Sequence, residues 1–346
     1  MADYPAKRNP LDLTGRMSRP WILALVVIGA LAAWILLSGC AGEAGVDSTY
    51  PYASVTSLPE PTLGITGRID VWPVMPSEHV EPREVQIWLP PGYEDAPEAR
   101  YPVVYVHDGQ NLFDPSRSPF SAHDWALDEI MTALVDTGAV RPAIVVGIES
   151  RGMRILEMAP EDIMTGVFPP DTLAEARRQL EAGVGIPASA PLLGNEYLAF
   201  VVDEIIPRVN AEYRTLTGPE NTFIMGSSMG GLASIYALVK RPDVFGAAAA
   251  LSTSWHLMGD YMLDWIAAEW PRSADVRLYM DHGTGASDRS VAPYQNDMDA
   301  LLGTLGASYT SHVFEDAEHS EIAWRMRAHL PLQYLLGRVD PSRASD

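Results

Sequence analysis

The segment N-T-F-I-M-G-S-S-M-G-G, residues 221–231, determines the fold that we expect. Its β-rich start predicts a strand, and the helix-forming residues after it predict a helix. Between them, Gly226 to Gly230 match G-x-S-x-G, in which a serine stands on a strained turn between strand and helix. Gly226 and Gly230 let the two elements approach closely, so Ser228 is the predicted nucleophile. The alternative is a glycine-rich helix start without chemistry.

Strands and helices alternate on both sides of this segment, which is typical of βαβ units. We therefore predict an α/β fold with a mostly parallel central sheet and helices on both faces. The predicted strands are Val85–Leu89, Val103–Val106, Ile144–Ile148, Thr222–Met225, Ala247–Leu251, Val276–Met280 and Tyr309–Phe314. The predicted helices are Trp125–Val135, Tyr197–Tyr213, Met229–Val239, Tyr261–Trp270, Tyr294–Leu305 and Ile322–Leu335.

Composition excludes several classes of protein. The 346 residues are 47% hydrophobic and 20% charged, enough to bury a sizeable core. The formal net charge of −21 lacks the basic footprint of a nucleic-acid binder, so we expect no nucleic-acid partner. A single cysteine permits no intramolecular disulfide. Nucleotide-binding glycine motifs and H-E-x-x-H are absent from the sequence, so we expect no cofactor and no metal.

The first forty residues carry a targeting pattern. Four basic residues precede an uncharged apolar run over residues 21–37, which ends in Leu37-Ser38-Gly39-Cys40. This resembles a bacterial lipoprotein signal, so we predict a signal peptide over 1–39 and acylation of Cys40. The alternative is an uncleaved membrane anchor. Both interpretations export the rest of the chain and hold it at a membrane, on the periplasmic or cell-surface face. Residues 40–61 are predicted to be a tether.

A nucleophilic serine requires a neighbouring base and an orienting carboxylate. In the strand–turn–helix arrangement, the acid and then the histidine follow the serine along the chain. His319 lies after the last predicted strand and before the last helix, where the base is expected. Asp281 directly follows the predicted strand Val276–Met280, and Asp288 lies on the loop after it. Spacing alone leaves either aspartate as the acid. Protonated His319 cannot accept the serine proton, so turnover should fall as the pH decreases.

A tetrahedral intermediate also needs two backbone N–H donors, which form an oxyanion hole. One is predicted at Met229, the residue after the nucleophile. The other is predicted at Gln110, in the loop after the strand Val103–Val106, where Gly109 lets the backbone turn. The alternative for this loop is an ordinary turn.

At these residues the sequence resembles the esterase family of α/β-hydrolases, which contains enterochelin esterases, feruloyl and acetyl-xylan esterases, S-formylglutathione hydrolases and mycolyltransferases. The resemblance implies an α/β-hydrolase domain over residues 62–338, followed by a flexible tail over 339–346. It implies Asp288 as the acid, because relatives with a G-T-x-x-x-D loop use the loop aspartate, and it also implies Gln110 as an oxyanion donor. The matching stretches are residues 101–114, 197–215, 223–255, 278–288 and 317–324.

Two features depart from this family pattern. Relatives often carry R-x-x-E-Y-x-P, whereas here Met158 replaces the tyrosine of the stretch that begins at Arg154. We predict that Arg154 binds a substrate carboxylate or phosphate-like group, the alternative being a structural pair with Glu157. His107 and Trp255 are further candidates for substrate binding. The Pro- and Gly-rich insertion over residues 161–191, with a helical piece at 173–181, is predicted to be a lid.

These features together predict an exported, lipid-anchored serine ester hydrolase that acts on a small-molecule ester. One alternative is acyl transfer to an alcohol on the same triad, as in the mycolyltransferases. The other is a surface lipoprotein that binds a ligand without turnover. The oligomeric state is left open.

Overall fold

The computed structural model describes residues 64–118 and 123–337. The predicted signal peptide over 1–39, Cys40, the tether over 40–61 and the tail over 339–346 lie outside the described residues. Within those two ranges, no helix is both long enough and apolar enough to cross a membrane.

Eight strands form one sheet in the order β1-β2-β4-β3-β5-β6-β7-β8. β1 and β2 pair antiparallel, as do β2 and β4, and every later pair is parallel. The predicted mostly parallel sheet is therefore confirmed. The strands are β1 (Arg68–Met75), β2 (Arg83–Leu89), β3 (Val103–His107), β4 (Ile144–Ile148), β5 (Thr222–Ser227), β6 (Ala247–Leu251), β7 (Arg277–Gly283) and β8 (Ser308–Phe314).

Each of the seven predicted strands is present, with some bounds extended by a few residues. Strand β1 was missed. It lies at an edge of the sheet, most of its residues are exposed or half-buried, and it contains Pro73. Proline is tolerated only at such an edge, where its missing N–H breaks no ladder. Only Trp72 and Met75 of this strand are buried, and a register irregularity separates them, so β1 lacks the apolar pattern that revealed the other strands.

The longer helices are α1 (Leu127–Asp136), α4 (Pro170–Val184), α7 (Met229–Lys240), α8 (Asp260–Glu269), α9 (Ala292–Leu305) and α11 (His329–Leu336). The shorter ones are α2 (Arg154–Glu157), α3 (Glu161–Gly166), α5 (Gly194–Ala199), α6 (Ile206–Glu212) and α10 (Glu321–Arg327). A π-helical stretch over Phe200–Ile205 joins α5 to α6. Short 3₁₀ turns lie at Gly109–Asn111, Pro115–Arg117, Pro219–Asn221 and Trp255–Leu257.

Two predicted helices differ from a regular α-helix near a proline, which lacks a backbone donor. The helix predicted over 322–335 is two helices that meet at Ala328. Pro331 cannot donate to the carbonyl of Arg327 and its ring would clash there, so the first helix ends at Arg327. The helix predicted over 197–213 contains a π-helical stretch, and Pro207 lies just after that stretch.

Alternate strand residues pack into two separate apolar layers, one on each face of the sheet. On β5, Ile224 belongs to one layer, while Phe223 and Met225 belong to the other. This is the two-residue period of a strand buried on both faces. The first layer also contains side chains of α7, and the second contains those of α1 and α11. The prediction of helices on both faces is thus confirmed.

Parallel strands end at a common edge, and there the loops after β3, β5, β6 and β7 meet. These loops carry Gln110, Ser228 and Asp288. The topology alone therefore brings residues that are far apart in sequence to one place.

The insertion over 161–191 contains α3 and α4, the second being a longer form of the helix predicted at 173–181. It is anchored to the body of the domain. The Phe168 ring lies 4.8 Å from that of Tyr261 on α8, and Asp162 pairs with Lys240 at 2.5 Å. Its role as a lid stays a prediction.

A buried ion pair connects β2 to α2. Arg83 donates from Nη2 to Glu157 Oε1 at 2.6 Å and from Nη1 to Oε2 at 2.9 Å, and both side chains have 0% exposure. The alternative pairing of Arg154 with Glu157 is therefore wrong. Glu157 lies beneath the surface beside Arg83, whereas Arg154 contacts Asp108 instead.

We predict that Glu157→Ala lowers the free energy of unfolding by about 3–5 kcal/mol, because it leaves the Arg83 guanidinium buried without its counter-ion. Urea unfolding of the protein measures the change. The control is the double variant Arg83→Met with Glu157→Leu, which removes both charges and should recover much of the loss. A single variant within 1 kcal/mol of the parent protein would contradict this.

Candidate active site

Ser228 is the residue between β5 and α7, and its backbone has φ 57° and ψ −119°. Few residues other than glycine adopt a positive φ, and such strain is concentrated at functional sites. The conformation is fixed by neighbours: Ser228 N–H donates to Leu251 O at 2.8 Å. The predicted strand, turn and helix are therefore all present at this serine.

The two glycines of the motif are required by close approach. A Cβ on Gly226 would lie 2.9 Å from the backbone of Gly230, nearer than real side chains come. A Cβ on Gly230 would lie 3.2 Å from Cβ of His107. The strand and the helix thus approach each other as the motif predicts.

A continuous chain of hydrogen bonds joins Ser228, His319 and Asp288. His319 Nε2 lies 2.9 Å from Ser228 Oγ, and His319 Nδ1 lies 2.8 Å from Asp288 Oδ1. The His319 ring also packs edge-on against Trp324, with ring centroids 4.9 Å apart. These contacts place the imidazole between the hydroxyl and the carboxylate.

Of the two aspartates that spacing left open, only Asp288 meets His319. Asp281 lies within β7, fully buried, where it accepts from Arg327 Nε at 3.1 Å and from Tyr279 Oη at 3.0 Å. The interpretation of Asp281 as the acid is therefore wrong. Its position inside the strand directs the carboxylate to Arg327, whereas Asp288 lies on a loop that reaches the histidine.

The other oxygen of Asp288 is held by two short hydrogen bonds. Ser252 Oγ and Gly283 N–H each donate to Asp288 Oδ2 at 2.6 Å. Burial raises the pKa of this carboxyl, but the bonds from His319, Ser252 and Gly283 outweigh it and hold the pKa below its usual range. Asp288 is thus an oriented anion.

The buried guanidinium of Arg327 holds Ser252 in place beside Asp288. Arg327 Nη2 donates to Ser252 Oγ at 2.7 Å and lies 3.9 Å from Asp288 Oδ2. The indole N–H of Trp324 also donates to Ser252 Oγ, at 2.9 Å. With both donors directed at its oxygen, the Ser252 proton is left for Asp288.

The loops that carry Asp288 and His319 are tied together by Glu318. Its carboxylate accepts from the backbone N–H of Ala286 at 3.0 Å and of Ser287 at 2.7 Å. His319 N–H in turn donates to Ser287 Oγ at 2.9 Å. These bonds fix the acid loop relative to the base loop, and sequence reasoning missed them.

The two predicted oxyanion donors both lie at helix starts. Met229 is the first residue of α7, and Gln110 lies in the 3₁₀ turn Gly109–Asn111. N–H groups at a helix start have no acceptor inside their own helix. The Gln110 side chain is clamped by Ser150, donating to its Oγ at 2.9 Å and accepting from its N–H at 3.1 Å.

Arg154 and Asp108 form a two-pronged ion pair beside the turn. Arg154 Nε and Nη2 donate to the two Asp108 oxygens, each at 2.6 Å. Asp108 Oδ2 lies 3.7 Å from where a Cβ on Gly230 would stand. The prediction that Arg154 binds a substrate anion is not supported, because its charge is already matched by Asp108.

The structure does not present His107 or Trp255 to a substrate. His107 is 2% exposed, with Nδ1 at 2.8 Å from the Tyr197 hydroxyl, and Trp255 is 1% exposed, its indole N–H donating to Gln295 at 3.0 Å. Both side chains are buried and hydrogen-bonded inside the protein. Their predicted role in substrate binding is therefore not supported.

Sequence reasoning missed Ser252, Ser254 and Arg327. Ser254 Oγ lies 3.0 Å from Ser228 Oγ. The available signal was the L-S-T-S-W stretch at the end of β6, since polar residues at the carboxyl end of a parallel strand reach the same edge as the nucleophile. In the part of the chain that the structure describes, no group of three or more His, Cys, Asp or Glu could hold a metal ion.

The sequence profile of a protein family described as "Putative esterase" matches residues 78–328. The chain belongs to this esterase family. The resemblance noted in the sequence is thereby confirmed, and the esterase family makes the chain an ester-bond hydrolase. An uncharacterized protein of Bacillus subtilis, YbbA, is 26% identical over 209 residues, which cover 60% of this chain and 72% of YbbA.

Solved structures share the esterase fold at lower identity. A ferulic acid esterase is 17% identical with a TM-score of 0.57, covering 79% of this chain and 99% of that one. The BES protein of Bacillus cereus is 18% identical with a TM-score of 0.58, covering 81% and 100%. The enterobactin esterase FES of Shigella flexneri is also 18% identical with a TM-score of 0.58, covering 81% and 61%. These likenesses confirm an α/β-hydrolase fold.

We predict that His107 makes stability depend on pH. Burial lowers the pKa of His107 to about 4, whereas an unfolded histidine titrates at about 6.5. Between these values only the unfolded state binds the proton, so stability is lost as the pH falls through that range. The fall in Tm from pH 7 to pH 5 should therefore be smaller in His107→Gln than in the parent protein. Equal falls would show that His107 does not contribute.

Proposed function

We propose that this protein is a serine ester hydrolase in which Ser228 is the nucleophile, His319 the base and Asp288 the orienting acid. One observation carries the proposal: the hydrogen-bond chain in which His319 spans Ser228 Oγ at 2.9 Å and Asp288 Oδ1 at 2.8 Å. A serine becomes a nucleophile when a base accepts its proton, and the base needs a carboxylate to fix its tautomer.

The reaction proceeds in two halves. His319 Nε2 takes the proton of Ser228 Oγ while that oxygen bonds to the ester carbonyl carbon, and the carbonyl electron pair moves to its oxygen. The N–H groups of Met229 and Gln110 hold this oxyanion. The intermediate then collapses, and the leaving alcohol departs with the proton from His319. Water attacks the acyl-enzyme by the same steps, which release the acid and restore Ser228.

Asp288 contributes through its charge and its fixed direction. An ionised carboxylate can only accept, so His319 Nδ1 is the protonated nitrogen and Nε2 is left to receive the serine proton. The buried anion also stabilises the imidazolium that forms during attack.

The proposed substrate class is small-molecule esters. A ferulic acid esterase and an enterobactin esterase share this fold, and both are named as esterases of small molecules. The family match over residues 78–328 covers Ser228, Asp288 and His319 alike.

We predict that Ser228→Ala abolishes turnover of p-nitrophenyl acetate and butyrate and abolishes labelling by a fluorophosphonate probe, because the nucleophile is gone. Gel fluorescence and absorbance measure the two effects. The matched control is Ser234→Ala on α7, whose hydroxyl donates only within its own helix, to Gly230 O at 2.7 Å. Undiminished turnover in the Ser228 variant would refute the proposal.

We predict that Asp288→Asn lowers kcat by about 10³–10⁴-fold with little change in KM, because an amide can favour the wrong histidine tautomer. Steady-state kinetics with p-nitrophenyl acetate measure both constants. A loss below tenfold would remove Asp288 from the proposed mechanism.

We further propose that the enzyme is exported and lipid-anchored through Cys40. The support is the basic, apolar and Leu-Ser-Gly-Cys pattern of residues 1–40. Expression of the full chain in a bacterium with labelled palmitate should label the protein, and Cys40→Ser should abolish the label. Equal labelling of both would contradict the proposal.

A further inference from the structure

Three consecutive hydroxyl residues follow β6, and they differ in what they touch. Ser252 Oγ donates to Asp288 at 2.6 Å, and Ser254 Oγ lies 3.0 Å from Ser228 Oγ. Thr253, between them, has a fully buried hydroxyl with no hydrogen-bond partner in the described part of the chain. The first and third residues of this segment thus contact the two ends of the proposed triad.

Ser254 is held firmly in place. It is 4% exposed, and its N–H donates to Ser228 O at 3.1 Å, while its own carbonyl accepts from Leu257 N–H at 3.1 Å. The next residue, Trp255, is buried in the core. The Ser254 hydroxyl is therefore a fixed part of the site.

The direction of the Ser228–Ser254 hydrogen bond follows from the protons available. Ser228 has one hydroxyl proton, and in the proposed mechanism it points to His319 Nε2. The contact between the two serine oxygens then requires a proton from Ser254. Ser254 is the donor and Ser228 Oγ the acceptor.

We propose that Ser254 is a further catalytic residue, which donates a hydrogen bond to the nucleophilic oxygen of Ser228. This inference rests on the proposed serine esterase mechanism. As His319 removes the Ser228 proton, negative charge develops on Oγ, and hydrogen bonds to a charged oxygen are stronger than those to a neutral one. Ser254 keeps its own proton throughout. One lone pair of Ser228 Oγ accepts this bond and the other attacks the ester carbon.

The contact also fixes the nucleophile before substrate arrives. Two partners, His319 and Ser254, define the direction of the Ser228 hydroxyl, whereas one partner would leave it freer to rotate. A preoriented nucleophile lowers the entropic part of the barrier to attack. Both effects act on kcat, because neither involves binding of the substrate.

The test compares Ser254→Ala, Ser254→Cys and Thr253→Val in the full chain. The rate of fluorophosphonate labelling reports nucleophile reactivity, and p-nitrophenyl acetate gives kcat and KM. We expect Ser254→Ala to slow labelling and lower kcat by about tenfold, with KM changed less than twofold. Ser254→Cys keeps the shape but has only a weak donor, so it should be slowed as well. Thr253→Val should stay within twofold of the parent, and thermal unfolding checks that each variant is folded.

Several results would overturn the inference. Folded Ser254 variants that label within twofold of the parent would show that the donor is dispensable. Equal losses in Thr253→Val and Ser254→Ala would show that only the packing of the loop matters. A raised KM at constant kcat would make Ser254 a substrate-binding residue. If the parent protein itself neither labels nor turns over, the proposed serine esterase mechanism fails and this inference falls with it.

Discussion

The strained backbone of Ser228 is the constraint around which the site is built. Its φ of 57° occurs where β5 and α7 pack closely, and a Cβ on Gly226 would lie only 2.9 Å from the Gly230 backbone. Backbone bonds from Ser228 to Leu251 and from Ser254 to Ser228 tie the turn to the end of β6. The neighbouring parallel strand therefore supports the proposed nucleophile, because it supplies the bonds that hold the turn in its strained shape.

Two buried aspartates, one of them Asp288 of the site, share one buried arginine. Asp281 and Asp288 lie on either side of Arg327, at 3.0 Å and 3.9 Å from its Nη2. Each carboxylate alone would be costly to bury, and the shared guanidinium offsets part of that cost. Ser252 transmits the effect, since it accepts from Arg327 and donates to Asp288. The two acids that sequence spacing could not separate are thus divided by role: one holds the arginine and the other faces His319.

Much of the fold and of the candidate site could be predicted because local sequence determines it. The buried strands are continuous apolar runs, and the turn at Ser228 demands glycines at fixed offsets. What could not be predicted depends on contacts between distant segments. Nothing near Arg154 in the sequence indicates that its partner is Asp108 rather than Glu157, because the pairing is set by how β3 and α2 pack. Trp255 likewise meets its hydrogen-bond partner, Gln295, on the distant helix α9. The edge strand β1 buries only Trp72 and Met75, three residues apart, so its sequence shows neither a continuous apolar run nor a regular alternation.

Because Arg154 is paired with Asp108, a substrate anion could bind Arg154 only in competition with Asp108. An ester that carries its own carboxylate would have to displace Asp108 to reach the guanidinium, giving up two bonds of 2.6 Å for whatever it forms. The displaced Asp108 would then be an unmatched anion close to Gly230, at the start of α7. Uncharged esters incur neither cost. The Arg154 guanidinium is thus already occupied by a residue of the chain itself, so a substrate carboxylate would gain from it only by replacing bonds that the fold already makes.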